Sequence, residues 1–286
     1  MFIGKYNTEW TEEKYKRFLR EGRGQGEGKE YKPWLTVYDF PSMGRATRVF
    51  GYKTQRIHHF FSDLQLKYFY LLEWEEKVVD IREHFPLLDW EETITDKDNL
   101  KLDKFKDKET RVPYVLSTTF LITIVDEQGN KRLIARSVKN ASELEKKISL
   151  EKLEIERRYW QCKGVDWAIV TNKGINSVRA KNIEWLHSVL TAEEYNGLSA
   201  EEMADLGEGL LYRLIGNQQP IRKVIAEYER DYCLETGTGI VLFKYLLSRR
   251  KLCMNMDEPL NLNLPATSLW IPADGKGELR DNGYYG

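Results

Sequence analysis

Apolar residues along the chain fall into helical and alternating stretches with clear boundaries. In HHFFSDLQLKYFYLLEWEE, residues 58–76, Leu64, Tyr68, Leu71 and Leu72 follow the i, i+4, i+7, i+8 stripe of a core-facing helix. Ser62 suits its N-cap and Gln65 falls at N3, an S-x-x-Q capping box, while Phe61 and Leu66 are spaced for a hydrophobic staple. A shorter helix is predicted upstream, from about Thr11 to Arg20. Alternation with period two then appears in YVLSTTFLITIV (114–125); DEQGN supplies a turn and RLIARSVKN answers as a second strand. Along such strands Val115, Ser117, Thr119 and Leu121 share one face, as do Ala135, Ser137 and Lys139. Ser142 with Glu145 reads as a second capping box, opening a helix that runs through LEKLEIERRYWQCK to Gly164; VDWAIVTN is then a short buried strand. Helix, hairpin, helix and strand in this order describe an α/β core whose last strand can lie parallel to an earlier one. After IREHFPLL, residues from about Asp89 to Arg111 read as a charged loop insert.

Past Asn172 the pattern becomes helical, in SVRAKNIEWLHSV, SAEEMADLGEGLLYRLI, PIRKVIAEYERDYCLE and IVLFKYLLSRRKLCMNM. Two domains are expected, 1–172 and 173–286. The last helices and the extended NLNLPATSLWIP look like a winged helix, with Lys244, Arg249, Arg250 and Lys251 as its cations.

Charge changes the picture only locally. Lys and Arg number 44 against 45 Asp and Glu, a net charge of −1. A nucleic-acid partner must therefore be met by a local basic surface. The stretch GRATRVFGYKTQRIHH, residues 44–59, carries Arg45, Arg48, Lys53 and Arg56 and no acid. A hairpin around TRVFGYK would show these cations on one face for phosphate contact. His58 and His59 are adjacent and hence on opposite faces of a strand, which reads as packing or a single phosphate contact rather than a metal pair. EGRGQGEGK places glycine at 22, 24, 26 and 28, but no strand precedes it and Lys29 is followed by Glu30, so it is no phosphate loop. It reads as a flexible linker or as an adaptable loop carrying Arg23 to a nucleic-acid backbone. Cys162, Cys233 and Cys253 lack metal-ligand spacing and imply reduced thiols in the cytoplasm. MFIGKYNTEW lacks the apolar segment of a secretory signal, and no run approaches the ~20 apolar residues of a membrane span.

Metal-dependent nucleases draw two or three carboxylates together on Mg²⁺, a hard ion that takes oxygen ligands, with a lysine beside the scissile phosphate. A helix bearing residue 65, a strand bearing residue 119 and SVK at 137–139 match a common arrangement for such a site. The segments EGRGQGEGKEYKPWLTV, HHFFSDLQL, LEWEEKVVDIREHFPLL, EKLEIERRYWQCK and NIEWLHSV closely resemble the TnsA family, endonuclease subunits of heteromeric bacterial transposons, from about residue 10 to 190.

That resemblance implies a restriction-endonuclease-like N-terminal core, a mixed sheet flanked by helices, followed by a mostly helical, winged-helix-like domain. It also implies Mg²⁺-dependent cleavage of the 5′ strands at transposon ends. The implied partners are DNA, a TnsB-type DDE transposase and a TnsC-type AAA+ ATPase bound through the C-terminal domain; no membrane is implied. The catalytic positions carried over are Gln65, Thr119 and Lys139, and the metal positions are Gln65, Thr119, Ser137 and Val138. The family has glutamate where this chain has Gln65, aspartate where it has Thr119, and glutamine where it has Ser137. Two anionic charges are thus missing, which reads as natural divergence with weakened or lost cleavage. Two alternatives remain: a working endonuclease with relocated ligands, Glu156 or Glu154 supplying the carboxylate, or a non-catalytic interaction module.

Overall fold

The computed structural model describes residues 10–39, 45–190 and 197–272, so the N-terminal stretch read for a signal lies outside the described residues except for Trp10. The chain divides into two compact units, Met1–Ile175 and Asn176–Gly286.

The first unit opens with α1 (Glu12–Arg20), whose N-cap Thr11 accepts the Lys14 amide proton and whose Phe18 packs with Trp10 and Trp34. Strands β1 (Thr47–Gly51) and β2 (Arg56–Phe60) form an antiparallel hairpin. The apolar stripe becomes α2 (Asp63–Trp74), capped by Ser62 as its sequence demands. Next come β3 (Val78–Pro86), the single-turn α3 (Trp90–Thr93), β4 (Ser117–Val125) and β5 (Lys131–Lys139). Helix α4 (Lys147–Cys162) then crosses over to β6 (Asp166–Thr171). The sheet order is β3-β4-β5-β6; the first three strands are antiparallel and β6 lies parallel to β5, as expected.

Alternation along β4 and β5 assigns the two faces. Phe120 meets Tyr68 of α2 and Phe60 of β2. Leu121 and Ala135, on the opposite face, pack with Ile155, Tyr159 and Trp160 of α4. A mixed sheet between two helices is the restriction-endonuclease-like core that the resemblance implies.

IREHF, which the sequence pattern does not assign to any element, lies in β3, whose Asp80, Arg82, Glu83 and His84 are all buried. Three expectations need correction. The insert is not loose, because Trp90, Ile94 and Phe105 enter the same apolar cluster as α4. The capping box before α4 belongs to Asn140 and Glu143, opening a 3₁₀ turn at Ala141–Glu145, and not to Ser142 and Glu145. The glycine segment is neither linker nor adaptable loop: the Gly28 amide donates to Asp80 (3.2 Å), and the Gly28 carbonyl accepts from Arg56 (3.2 Å).

The second unit contains α5 (Ser177–Leu190), α6 (Ala200–Leu214), α7 (Ile221–Asp231) and α8 (Thr238–Ser248). Helix α8 packs against the other three, and a capping box of Ser199 and Glu202 starts α6. Among the described residues this unit has no strand. Single bridges, Cys253 to Trp270 and Pro220 to Pro265, stand where a wing hairpin was expected. No described helix is long and apolar enough to cross a membrane.

Candidate nuclease-type site

The candidate site lies where two strands part. Paired register between β4 and β5 runs from Val125–Lys131 to Phe120–Arg136 and stops, while β5 continues beside β6 to the pair Lys139–Thr171. Thr119 is the first residue past the end of the β4–β5 ladder. Its hydroxyl accepts the Val138 amide at 3.0 Å, taking the place of a ladder carbonyl. Strict alternation lapses at the same point, since Thr118 and Ser137 both reach Glu156 of α4.

The contacts around Glu156 have a fixed direction. The Trp160 indole donates to the Thr118 hydroxyl (2.7 Å) and the Trp167 indole to the Ser137 hydroxyl (3.1 Å). An indole N–H can only donate, so each hydroxyl accepts there and spends its single proton on Glu156 Oε2. Oε2 thus accepts from Thr118 at 3.0 Å and from Ser137 in a short contact. Glu156 is almost wholly buried, tied into the packing of the sheet against α4. Glu154, the other candidate acid, is held by Arg157 and Arg158 on the outer helix face, and those ion pairs lower its carboxyl to about 2 against a smaller opposing effect of burial.

Gln65 sits at the N-terminus of α2. Its amide donates to Ser62 Oγ (3.2 Å), and its side-chain oxygen accepts the Phe61 amide (2.9 Å), one residue ahead of the cap position that a standard capping box would use. The Phe61 ring lies 4.6 Å from His84, which the register places across from Thr119. Lys139 ends β5 in a loose pair with Glu143 at 3.8 Å.

Two further groups belong to this cleft and escaped the sequence reading. Lys152 shares the α4 stripe with Glu156, Tyr159 and Trp160, a spacing that was the available signal. Burial lowers its ammonium, Glu156 opposes that, and the charge of Lys139 adds to it. His84 donates through Nε2 to the His59 carbonyl (2.9 Å); burial above all lowers its imidazole to about 4, with His59 and Lys152 contributing.

The expected DNA-contact residues divide sharply. Arg56 and His58 are buried, and both bind Glu83: Arg56 reaches Oε1 at 2.9 Å and Oε2 at 2.5 Å, and His58 Nδ1 lies 2.8 Å from Oε2. Arg23 donates to Asp39 (2.7 Å) and the Trp34 carbonyl (3.0 Å) and lies 3.6 Å over the Phe18 ring. Lys53 donates to the carbonyls of Glu75 (2.7 Å) and Val78 (2.6 Å). These four side chains hold the fold together and do not form an outward phosphate face. Arg45 and Arg48 are exposed, and half-buried His59 pairs with Arg48 in the hairpin register.

Comparison with known proteins decides the family. Residues 75–172 match the family described as TnsA-like endonuclease N terminal, and residues 174–256 match TnsA endonuclease C terminal. The transposon Tn7 transposition protein TnsA of Escherichia coli is 40% identical over 263 residues, covering 91% of this chain and 92% of that protein. The chain belongs to the TnsA endonuclease family.

For a TnsA-type site the donor set is nevertheless a poor cradle for Mg²⁺. The oxygens of Gln65 and Thr119 are neutral and already accept backbone amides, and Glu156 Oε2 already accepts two hydroxyl protons. Among the described residues no group of three or more His, Cys, Asp or Glu is placed to hold a metal ion. Mg²⁺ loses hydration reluctantly and needs anionic oxygen to replace it, so these residues do not fit the ion.

Proposed function

We propose that this chain acts as a TnsA-type subunit on transposon-end DNA, beside a TnsB-type DDE transposase and a TnsC-type AAA+ ATPase engaged through its C-terminal unit. Its own divalent-metal-dependent cleavage of the 5′ strands is weak or lost. One observation carries the reading: the two positions taken from the family as carboxylates, Gln65 and Thr119, are neutral and are both used as hydrogen-bond acceptors for the local backbone. Exposed Arg45 and Arg48, with His59 paired across from Arg48, are the surface this reading assigns to the DNA backbone.

The test is strand cleavage on element-bearing plasmid with the transposase, the ATPase and either Mg²⁺ or Mn²⁺. Wild type leaves the 5′ strands intact. Gln65→Glu combined with Thr119→Asp raises their cleavage by about 100-fold, a barrier change of ~2.7 kcal/mol. Efficient wild-type 5′ cutting that Glu156→Ala abolishes would overturn the proposal in favour of relocated ligands.

A further inference from the structure

Alternation turns His58 and Phe60 of the β1–β2 hairpin inward and leaves the pairs Arg48–His59 and Phe50–Ile57 on its outer face. Against that face rests Tyr38, which keeps 61% of its surface in solvent although it is a large aromatic residue. The Arg48 guanidinium lies 5.3 Å from the Tyr38 ring centroid and donates to its phenol oxygen. The His59 ring meets the same ring edge-on, at 5.8 Å.

The turn that carries Tyr38 is closed on both sides. Asp39 accepts the Thr36 amide (2.7 Å), the Thr36 hydroxyl (2.8 Å) and Arg23 (2.7 Å), while the Asp39 amide donates back to the Thr36 carbonyl (3.0 Å). On the hairpin side the Val37 amide donates to His59 Nδ1 (3.4 Å). Ordering an exposed ring in this way adds little to the core, but it spares a ligand the entropy of ordering it.

The polar groups beside the ring all offer hydrogen. His59 accepts at Nδ1, so its neutral imidazole donates at Nε2; Arg48 has donors alone; and the phenol that accepts from Arg48 keeps its own proton to give. The neighbouring acids are engaged elsewhere: Asp39 in its turn, Asp63 with Arg45 at 3.8 Å, and Glu83 with Arg56 and His58. An aromatic face beside such donors suits a flat ring joined to an oxyanion, which is the make-up of a nucleotide. A paired base shows its edges in the grooves, whereas an unpaired or terminal base has a face free to stack.

We infer that Tyr38 is a stacking platform for an unpaired nucleotide at the element end, with Arg48 holding its phosphate. The chain therefore prefers a strand end or splayed base to continuous duplex. This rests on the proposed function for DNA as the partner, and it adds which state of the DNA is recognised.

The experiment is fluorescence anisotropy of the full chain in EDTA, with a labelled blunt duplex and with the same duplex carrying a short unpaired tail. Wild type should bind the tailed duplex about tenfold more tightly, and 2-aminopurine placed in the tail should be quenched on binding. Tyr38→Ala should bring the preference below about twofold and leave blunt-duplex affinity and salt dependence as they are. Tyr38→Phe retains the preference. Arg48→Gln should weaken binding of both duplexes and flatten the dependence of log affinity on log salt by about one. A thermal melt of Tyr38→Ala that matches wild type excludes unfolding. Wild type without measurable binding of the tailed duplex, equal wild-type affinities or an unquenched tail overturns the inference. So does a folded Tyr38→Ala that keeps the preference, including one that instead loses association with the transposase, which would mark a protein contact. Absence of the preference while the 5′ strands stay uncut defeats this inference and leaves the proposed function standing; a chain that shows the preference yet cuts 5′ strands efficiently does the reverse.

Discussion

Glu83 is fully buried, yet it carries four hydrogen bonds, two from the Arg56 guanidinium, one shared with His58 and one from the His59 amide at 3.2 Å. Burial by itself would raise its carboxyl; His58 and Arg56, through charge and hydrogen bonding together, outweigh that and hold it well below the usual range. The next residue behaves in the opposite electrical sense. Burial depresses the His84 imidazole from 6.5 to about 4, so the folded chain holds it neutral while the unfolded chain protonates it. Between those values the unfolded state binds more protons, and stability must therefore fall as pH drops from about 6.5 towards 4. The Glu83 contribution disappears further down the acid side, below the ordinary carboxylate value, because its folded pKa is the lower one. His84 alone accounts for at most ~3 kcal/mol over its window. Chemical denaturation at a series of pH values should show that decline, and His84→Asn should remove most of its upper part. Asparagine is the suitable replacement because residue 84 has φ +50°, a conformation it tolerates better than most residues. A wild-type midpoint that stays level from pH 7 to 4.5 would refute the argument.

At the scale of elements, what the chain reveals in advance depends on whether a pattern faces water. Helix α2 and the β4–β5 hairpin have one polar edge and one apolar face, so their periods are visible in the sequence. Strand β3 has no such contrast: its Asp80, Arg82, Glu83 and His84 look solvated until Arg56, His58 and Thr123 are folded against them. The candidate site is split in the same way. Gln65, Thr119, Lys139 and Glu156 could be located from spacing and resemblance, whereas Lys152 and His84 join the cleft only once α4 and β3 flank the open strand ends. The basic run misled because Arg56 and Lys53 point inward to partners far away in the chain. The glycine segment is a further case, since its packing partner is β3. Gly24 has φ +79°, and an added Cβ would lie 2.3 Å from the Pro86 ring; Gly28 has φ +52° with nothing within 4 Å of such an atom. Gly24→Ala should then cost about 2–4 kcal/mol, conformational strain plus overpacking. Gly28→Ala should cost only the strain, about 1 kcal/mol. Urea midpoints at constant slope would separate the two; equal losses would mean that the segment is not pinned against Pro86.

For the whole molecule the decisive quantity is which DNA strands remain joined. With a net charge of −1 and four of its expected DNA-facing groups turned inward, the chain has little electrostatic attraction for DNA overall. Under the proposed function its place at a transposon end comes mainly from its partners, with local contacts such as Arg48 adding register. Under the proposed function the transposase cuts and joins the 3′ ends while the 5′ ends stay attached to the donor. Such an intermediate still links donor and target, and replication across it yields a cointegrate containing both replicons. Release of the element as a simple insertion requires the missing 5′ cuts. Junction sequencing of transposition products, with both strand ends mapped before replication, should therefore find cointegrates with wild type. Gln65→Glu with Thr119→Asp should shift the products towards simple insertions, because the only step restored is 5′ cleavage. The comparison does not depend on how tightly the chain binds DNA, since both proteins would be assayed in the same assembly. Wild-type simple insertions with both strands cut at each end would place the cleaving activity in this chain after all, on ligands other than Gln65 and Thr119.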